Sequence, residues 1–248
     1  MIAQNLDTIR RRMAAACRRA GRKPEEITLI AVTKTFGNEL IREAVRAGCR
    51  DFGENFVQEL VRKRRELGGE EIRWHFVGHL QSNKVRHIIE WIHLIHSVDS
   101  VNLGNEISKR AQNAGRTVEV LVEVNSTAEK TKYGVRPEEA AGLIGRLRQL
   151  SNIKVSGLMT IGPLAPDPEE SRGPFRSMRK LIETLRIGGI TLPHLSMGMT
   201  NDFEVAIEEG ATMIRLGTAI FGQRSGLSRE AGLSAGQGAT VPRANGIS

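Results

Sequence analysis

The sequence predicts an α/β fold, a closed (β/α)8 barrel of the TIM type, and three observations carry that prediction. Apolar, β-branched runs alternate with helix-period segments; the strand-like runs number eight; and each is followed by polar or small residues. An open doubly wound sheet is the alternative that the same alternation allows. Residues 1–224 read as one barrel domain. Residues 225–248, rich in Gly, Ser and Ala with no apolar period, read as a disordered tail.

The chain opens on an amphipathic helix: Ile2, Leu6, Ile9, Met13 and Cys17 recur at helical spacing, with Arg10, Arg11, Arg12, Arg18 and Arg19 mostly off that stripe. An arginine-rich start also resembles an organelle transit peptide. Gly21-Arg-Lys-Pro24 stops the helix just before the first strand, as a structural element would. Strands follow over 27–33, 51–53, 72–77, 94–98, 118–124, 153–159, 192–196 and 212–216. The second is only Asp51-Phe52-Gly53. Helical patterns lie between them over 38–47, 56–67, 101–114, 137–150, 175–185 and 202–209, with a short one over 83–91. Asn38 is read as a cap, and Gly48, Gly68 and Gly210 stand past helix ends.

Composition narrows the function classes. The formal charge is +8, and residues 1–23 alone carry six Arg and one Lys against Asp7, so most of the excess belongs to one helix face. Aromatics are 4%, and no basic stretch is interleaved with stacking residues, which argues against specific nucleic-acid recognition. No run approaches a membrane span, and no secretory signal opens the chain. The two cysteines, Cys17 and Cys49, form no CxxC pair. A reducing, cytoplasmic setting suits them.

Barrels of this kind place their sites at the C-terminal ends of the strands. The first strand ends on Lys34, and Ile30, Val32 and Lys34 share one face, so partial desolvation there favours a nucleophilic amine. A lysine that snorkels out of the strand end is the bland reading. Later strands are followed by Glu54-Asn55, Gly78-His79, Asp99, Asn125, Thr160 to Gly162, Ser196-Met-Gly198 and Gly217-Thr218. Loops after the last two strands of such barrels often bind phosphate, and Ser196, Gly217 and Thr218 have donors to offer. Arg215 shares a strand face with Met213 and Gly217; an inward arginine needs a partner, for which Asp99 and Glu54 are structural candidates. A nucleophilic lysine opposite a phosphate cradle suits pyridoxal 5'-phosphate (PLP), and also a sugar phosphate processed through a Schiff base. The five histidines from His75 to His96 fit no metal-ligand spacing, so no metal is expected.

Seven motifs then resemble a known family. Ala31-Val-Thr-Lys34-Thr, Phe52-Gly-Glu-Asn55, Trp74-His-Phe-Val-Gly-His-Leu-Gln-Ser-Asn-Lys84, His96-Ser-Val-Asp-Ser100, Gly157-Leu-Met-Thr-Ile-Gly162, Leu195-Ser-Met-Gly-Met-Thr-Asn-Asp-Phe-Glu204 and Ile214-Arg-Leu-Gly-Thr-Ala-Ile-Phe-Gly222 are similar to those of the YggS/PROSC family of pyridoxal phosphate homeostasis proteins. The resemblance implies a fold-type III, alanine-racemase-like barrel without the racemase's β-rich domain. It implies Lys34 as the Schiff-base lysine, Ser196, Gly217 and Thr218 as phosphate binders, Arg215 at the pyridine nitrogen, and Asn55 among the cofactor-binding residues. Thr33, Phe56 and Thr200 stand where the family often has Ser, Tyr and Ser, and the tail after Arg224 has no counterpart.

Two functions follow from the resemblance. One is a PLP carrier, expected to be a cytoplasmic monomer without catalytic residues, that hands the cofactor to apo-enzymes. The other is a racemase-like enzyme of low activity. An arginine at the ring nitrogen keeps that nitrogen unprotonated, and a racemase needs a second acid/base group from a domain this chain lacks, so the carrier is favoured. Lys132, after the fifth strand, is the other lysine to examine.

Overall fold

The structure is a computed structural model that describes residues 1–127, 129 and 132–223. The expected tail, 225–248, and the domain end at Arg224 lie outside the described residues. Eight parallel strands close into a barrel in sequence order, with β1 paired to both β2 and β8. The strands are β1 (Thr28–Val32), β2 (Asp51–Glu54), β3 (Arg73–Phe76), β4 (Leu94–Val98), β5 (Val118–Glu123), β6 (Ile153–Met159), β7 (His194–Ser196) and β8 (Met213–Leu216). Closure excludes the open doubly wound sheet.

Around them lie α1 (Ile2–Arg19), α2 (Asn38–Arg46), α3 (Val57–Glu66), α4 (Val101–Asn113), α5 (Pro137–Leu147), α6 (Arg172–Ile187), α7 (Phe203–Glu208) and α8 (Thr218–Phe221). Helix α1 buries the predicted stripe, Ile2, Leu6, Ile9, Met13 and Cys17. Part of its basic face is spent on α7: Arg12 grips Glu204 with two bonds of 3.0 and 2.7 Å, and Arg19 reaches Glu208 at 2.6 Å. Much of the positive charge that stood out in the sequence is therefore structural.

Three expectations change. The segment expected as a short helix over 83–91 is a 3-10 turn, Ser82–His87, because so short a connection does not recover the cost of nucleating an α-helix. Asn38 does not cap α2. Gly37 holds the N-cap position, and the Asn38 amide instead donates to Glu66 at 2.6 Å. Gly48 and Gly210 do end helices in the left-handed region, at φ 89° and 97°, whereas Gly68 does not adopt it.

Alternation along the strands sorts the interior. Phe52, Trp74, Phe76, Ile95 and Val120 point outward to the helices, within the larger apolar cluster. Ile30, Leu94, Leu121, Met159 and Met213 form a separate apolar cluster within the barrel. His96 shares the inward face with Leu94, Glu123 with Leu121 and Arg215 with Met213. The barrel is thus apolar in one layer and polar in the layers that lead to its mouths.

Candidate functional site

A cavity of about 450 Å³ opens where the strands end, lined by Lys34, Asn55, Thr200, Arg215, Gly217 and Thr218 among others. The fold thereby gathers five of the six residues singled out from the sequence, plus Thr200. Ser196 lies beneath them.

The Lys34 end is held by its neighbours. Thr33 donates its hydroxyl to Glu54 at 2.6 Å, and its main-chain oxygen accepts from Lys63 Nζ, also at 2.6 Å. On the other side the Thr35 N–H donates to Glu59 at 2.8 Å, and Thr35 takes a left-handed φ of 69°. Such a conformation is costly for a β-branched residue and persists only where surrounding contacts enforce it. Here the contacts fix the backbone on both sides of Lys34. Gly78 packs against Asn55: a Cβ there would stand 2.3 Å from the Asn55 main-chain oxygen, so only glycine lets the turn after β3 approach Asn55.

Across the cavity, the loops after β7 and β8 bring two hydroxyls together. Thr218 Oγ1 lies 3.2 Å from Thr200 Oγ1, which also accepts weakly from the Ala219 N–H at 3.4 Å. Asp202 braces this loop, accepting from the Met199 N–H at 2.7 Å and from Ser171 at 2.8 Å. Thr200 was singled out only as a departure from a family pattern. Its place in Ser196-Met-Gly-Met-Thr200 was the signal, since a turn after the strand carries its fifth residue up to the mouth.

Arg215 sits between the two ends, 5% exposed. Neither Asp99 nor Glu54 is its partner: Asp99 faces His79 at 3.8 Å and Glu54 holds Lys63. Instead Arg215 donates to Ser196 Oγ at 2.6 Å and to the Thr160 main-chain oxygen at 2.8 Å, both uncharged. Burial pulls its pKa down to about 10, against the pull of Glu123 and Asp202. Burial also raises the Glu123 carboxyl to about 7, with Asp99 adding to the rise and Arg215 opposing it.

Other sequence candidates resolve differently. Ser196 is fully buried, its hydroxyl engaged by Arg215 and, at 3.0 Å, by His96. The Lys132 amine ties two loops together, bonded to Glu129 at 2.6 Å, the Gly162 oxygen at 3.0 Å and Thr127 at 3.2 Å. His79 stacks on Tyr133 with ring centroids 3.9 Å apart. At the opposite mouth the fold brings Asp51, His75 and His93 within reach of one ion, a trio the spacing did not suggest. Arg73 already holds both Asp51 oxygens, at 2.8 and 2.6 Å, and His75 holds one at 3.0 Å.

The chemistry of the cavity is that of an amine at one end, hydroxyls and a glycine turn at the other, and between them a cation that has no direct carboxylate partner among the described residues. This fits a flat, phosphorylated aldehyde with a ring nitrogen that accepts a hydrogen bond. The cavity volume also falls in the range of small-molecule sites.

Residues 4–225 match the family model of the alanine racemase N-terminal domain. A pyridoxal phosphate homeostasis protein of Aquifex aeolicus is 46% identical over 222 residues, 89% of this chain and 97% of that protein. The structure of PipY from Synechococcus elongatus with PLP bound superposes with a TM-score of 0.78 at 36% identity, over 90% of this chain and all (100%) of that one. An alanine racemase of Clostridium difficile shares the fold, with a TM-score of 0.72 at 17% identity over 90% of this chain and 56% of the racemase.

Proposed function

This chain belongs to the pyridoxal phosphate homeostasis proteins, within the family of the alanine racemase N-terminal domain, and from that membership we propose that it binds PLP in the cavity at the C-terminal mouth of its barrel and serves in the intracellular homeostasis of that cofactor. Lys34 is the residue whose amine holds the cofactor covalently, as a Schiff base. Thr200, Thr218 and the Gly217 turn hold the phosphate, Arg215 faces the ring nitrogen, and Asn55 borders the Lys34 end. When bound, PLP supplies a reversible aldehyde and an electron-withdrawing ring.

One observation favours a carrier over an enzyme. Among the described residues, those lining the cavity include the Lys34 amine and the Arg215 guanidinium, but no carboxylate, imidazole, thiol or phenol. Lys34 can move a proton on one side of a bound amino acid. Inversion at carbon needs a second group on the other side. The chain's residues are thus suited to hold PLP, shield its aldehyde and release it to apo-enzymes. We read it as a cytoplasmic monomer, a setting that suits its two buried, unpaired cysteines.

The test is borohydride reduction of the PLP-loaded protein followed by peptide mapping. Reduction is expected to fix the cofactor on Lys34, and Lys34→Ala to remove both the label and the visible absorbance band. Label on another lysine, Lys132 first among them, would displace the assignment. The loaded protein is further expected to activate an apo-enzyme while leaving D- and L-alanine unchanged; robust racemisation would overturn the carrier reading.

A further inference from the structure

A file of hydrogen bonds runs through the barrel from the cavity to the opposite mouth. Arg215 Nη1 meets Ser196 Oγ at 2.6 Å, Ser196 Oγ meets His96 Nδ1 at 3.0 Å, His96 Nε2 meets His75 Nδ1 at 3.0 Å, and His75 Nε2 meets Asp51 Oδ1 at 3.0 Å. Ser196 and His96 are fully buried and His75 is 1% exposed. The two ends determine every proton between them. Asp51 is kept ionised: burial alone would raise its pKa, but the bonds from His75 and Arg73 outweigh burial and lower it. A carboxylate only accepts, so His75 carries its proton on Nε2. Burial lowers the pKa of both His75 and His96, the latter strongly, so each ring is neutral and has one proton. His75 Nδ1 is then a bare acceptor, His96 must donate from Nε2, and its Nδ1 accepts the Ser196 proton. Arg215, which only donates, completes the file without conflict.

We propose that Arg215, Ser196, His96, His75 and Asp51 form a one-directional hydrogen-bond relay, in which the two histidines and Ser196 are positioning residues that hold the Arg215 guanidinium facing the cofactor cavity. The relay's role at the cofactor rests on the PLP reading above; the relay itself does not. It reassigns Ser196. Its one proton is committed to His96 and its oxygen accepts from Arg215, so it has no donor left for a phosphate, which falls to Thr200, Thr218 and the Gly217 turn. It also sets the relay against metal binding by the Asp51, His75 and His93 trio, since a metal at His75 Nε2 would displace the proton that orders the whole file.

The first test uses apo protein labelled with nitrogen-15 at histidine. Long-range proton–nitrogen spectra report which ring nitrogens carry protons, and His75→Gln and His96→Gln assign the signals. Both rings are expected to be neutral with Nε2 protonated; an Nδ1 proton or an imidazolium on His96 would overturn the relay. The second test titrates PLP into two variants and follows the visible band. His96→Leu removes both bonds and is expected to weaken PLP binding by about five- to tenfold and shift the band, the loss of a hydrogen bond's worth of positioning. His96→Gln keeps an acceptor and a donor and is expected to restore most of the affinity. Equal behaviour of the Leu and Gln variants, or no change in either, would reduce His96 to packing and overturn its positioning role. If wild type bound no PLP, the cofactor reading would fall and the positioning role with it, while the apo spectra would still decide the relay.

Discussion

The Lys63 ammonium meets the Glu54 carboxylate at 2.5 Å with neither side chain exposed, and the same ammonium donates to the main-chain oxygen of Thr33, the residue before Lys34. Glu59 completes the arrangement, binding Lys63 at 2.8 Å and the Thr35 N–H at 2.8 Å. Burial raises the Glu54 pKa, and Lys63 and Thr33 restrain the rise. The cluster fixes where Lys34 leaves the strand.

Lys63→Met is therefore expected to cost about 3–5 kcal/mol, the usual consequence of stranding a buried carboxylate. Urea unfolding measures it. Adding Glu54→Gln should recover part of the loss by removing the stranded charge. A single variant that loses under about 1 kcal/mol would show that the pair does not anchor the strand.

The Glu123 carboxyl gives stability a pH dependence with a definite sign. Its folded pKa of about 7 lies above the ordinary 4.5, so the folded state keeps a proton that the unfolded chain has already released. The stabilisation is full below the ordinary value and is lost as pH rises towards 7, by on the order of 3 kcal/mol. Glu123→Gln should remove that fall. Melting at pH 5 and pH 8 is expected to give similar stabilities at the lower pH and a more stable variant at the higher one; parallel curves would exclude Glu123 as the source.

Gly78→Ala places a methyl 2.3 Å from the Asn55 main-chain oxygen and 2.7 Å from its Cα. Backbone cannot yield as a side-chain end can, so about 1–3 kcal/mol of stability should be lost and PLP binding should weaken as Asn55 is pushed aside. Gly69→Ala is the control, since nothing lies within 4 Å of its added carbon. Equal melting temperatures for the two variants would contradict the contact.

At the other end of the cavity, Thr200→Val preserves shape and deletes a hydroxyl. Binding of PLP should fall by about ten- to a hundredfold, as for a lost hydrogen bond to a charged group, with little change in apo stability. Ser196→Ala should instead change the visible band of bound PLP by loosening Arg215. A phosphate role for Ser196 would reverse the two results.

Much of this arrangement was legible in the sequence, and what was not has physical causes. Lys34, Arg215, Gly217 and Thr218 were readable because strand alternation and the barrel's loop positions place them without knowledge of packing. Alternation says which way Ser196 points but not at which depth, and depth separates a cavity residue from one beneath it. Lys63 stands in Arg62-Lys-Arg-Arg65, a charge run that reads as a solvated helix face, yet it is wholly buried because α3 lies over the end of β1. The relay joins residues 19 to 100 positions apart, and only closure of the barrel brings them together. The 83–91 segment misled because an apolar run too short for an α-helix can still pack as a 3-10 turn.

Arg215 decides between a structural and a cofactor role. Its direct partners, Ser196 Oγ and the Thr160 oxygen, are neutral, and the nearby Glu123 carboxyl is itself held partly protonated at neutral pH. Removing the guanidinium therefore breaks no direct ion pair among the described residues, and Asp202, which also pulls on it, keeps its bonds from the Met199 N–H and the Ser171 hydroxyl. Keeping the guanidinium buried, by contrast, carries a desolvation cost that lowers its own pKa. Arg215→Gln can still donate one hydrogen bond to Ser196. Unfolding of the apo variant is expected to stay within about 1 kcal/mol of wild type, while PLP binding falls at least about tenfold. A structural ion-pair role predicts the opposite pattern, a loss of about 3–5 kcal/mol in apo protein. Urea melts of apo protein and a PLP titration, run on the same preparation, separate the two.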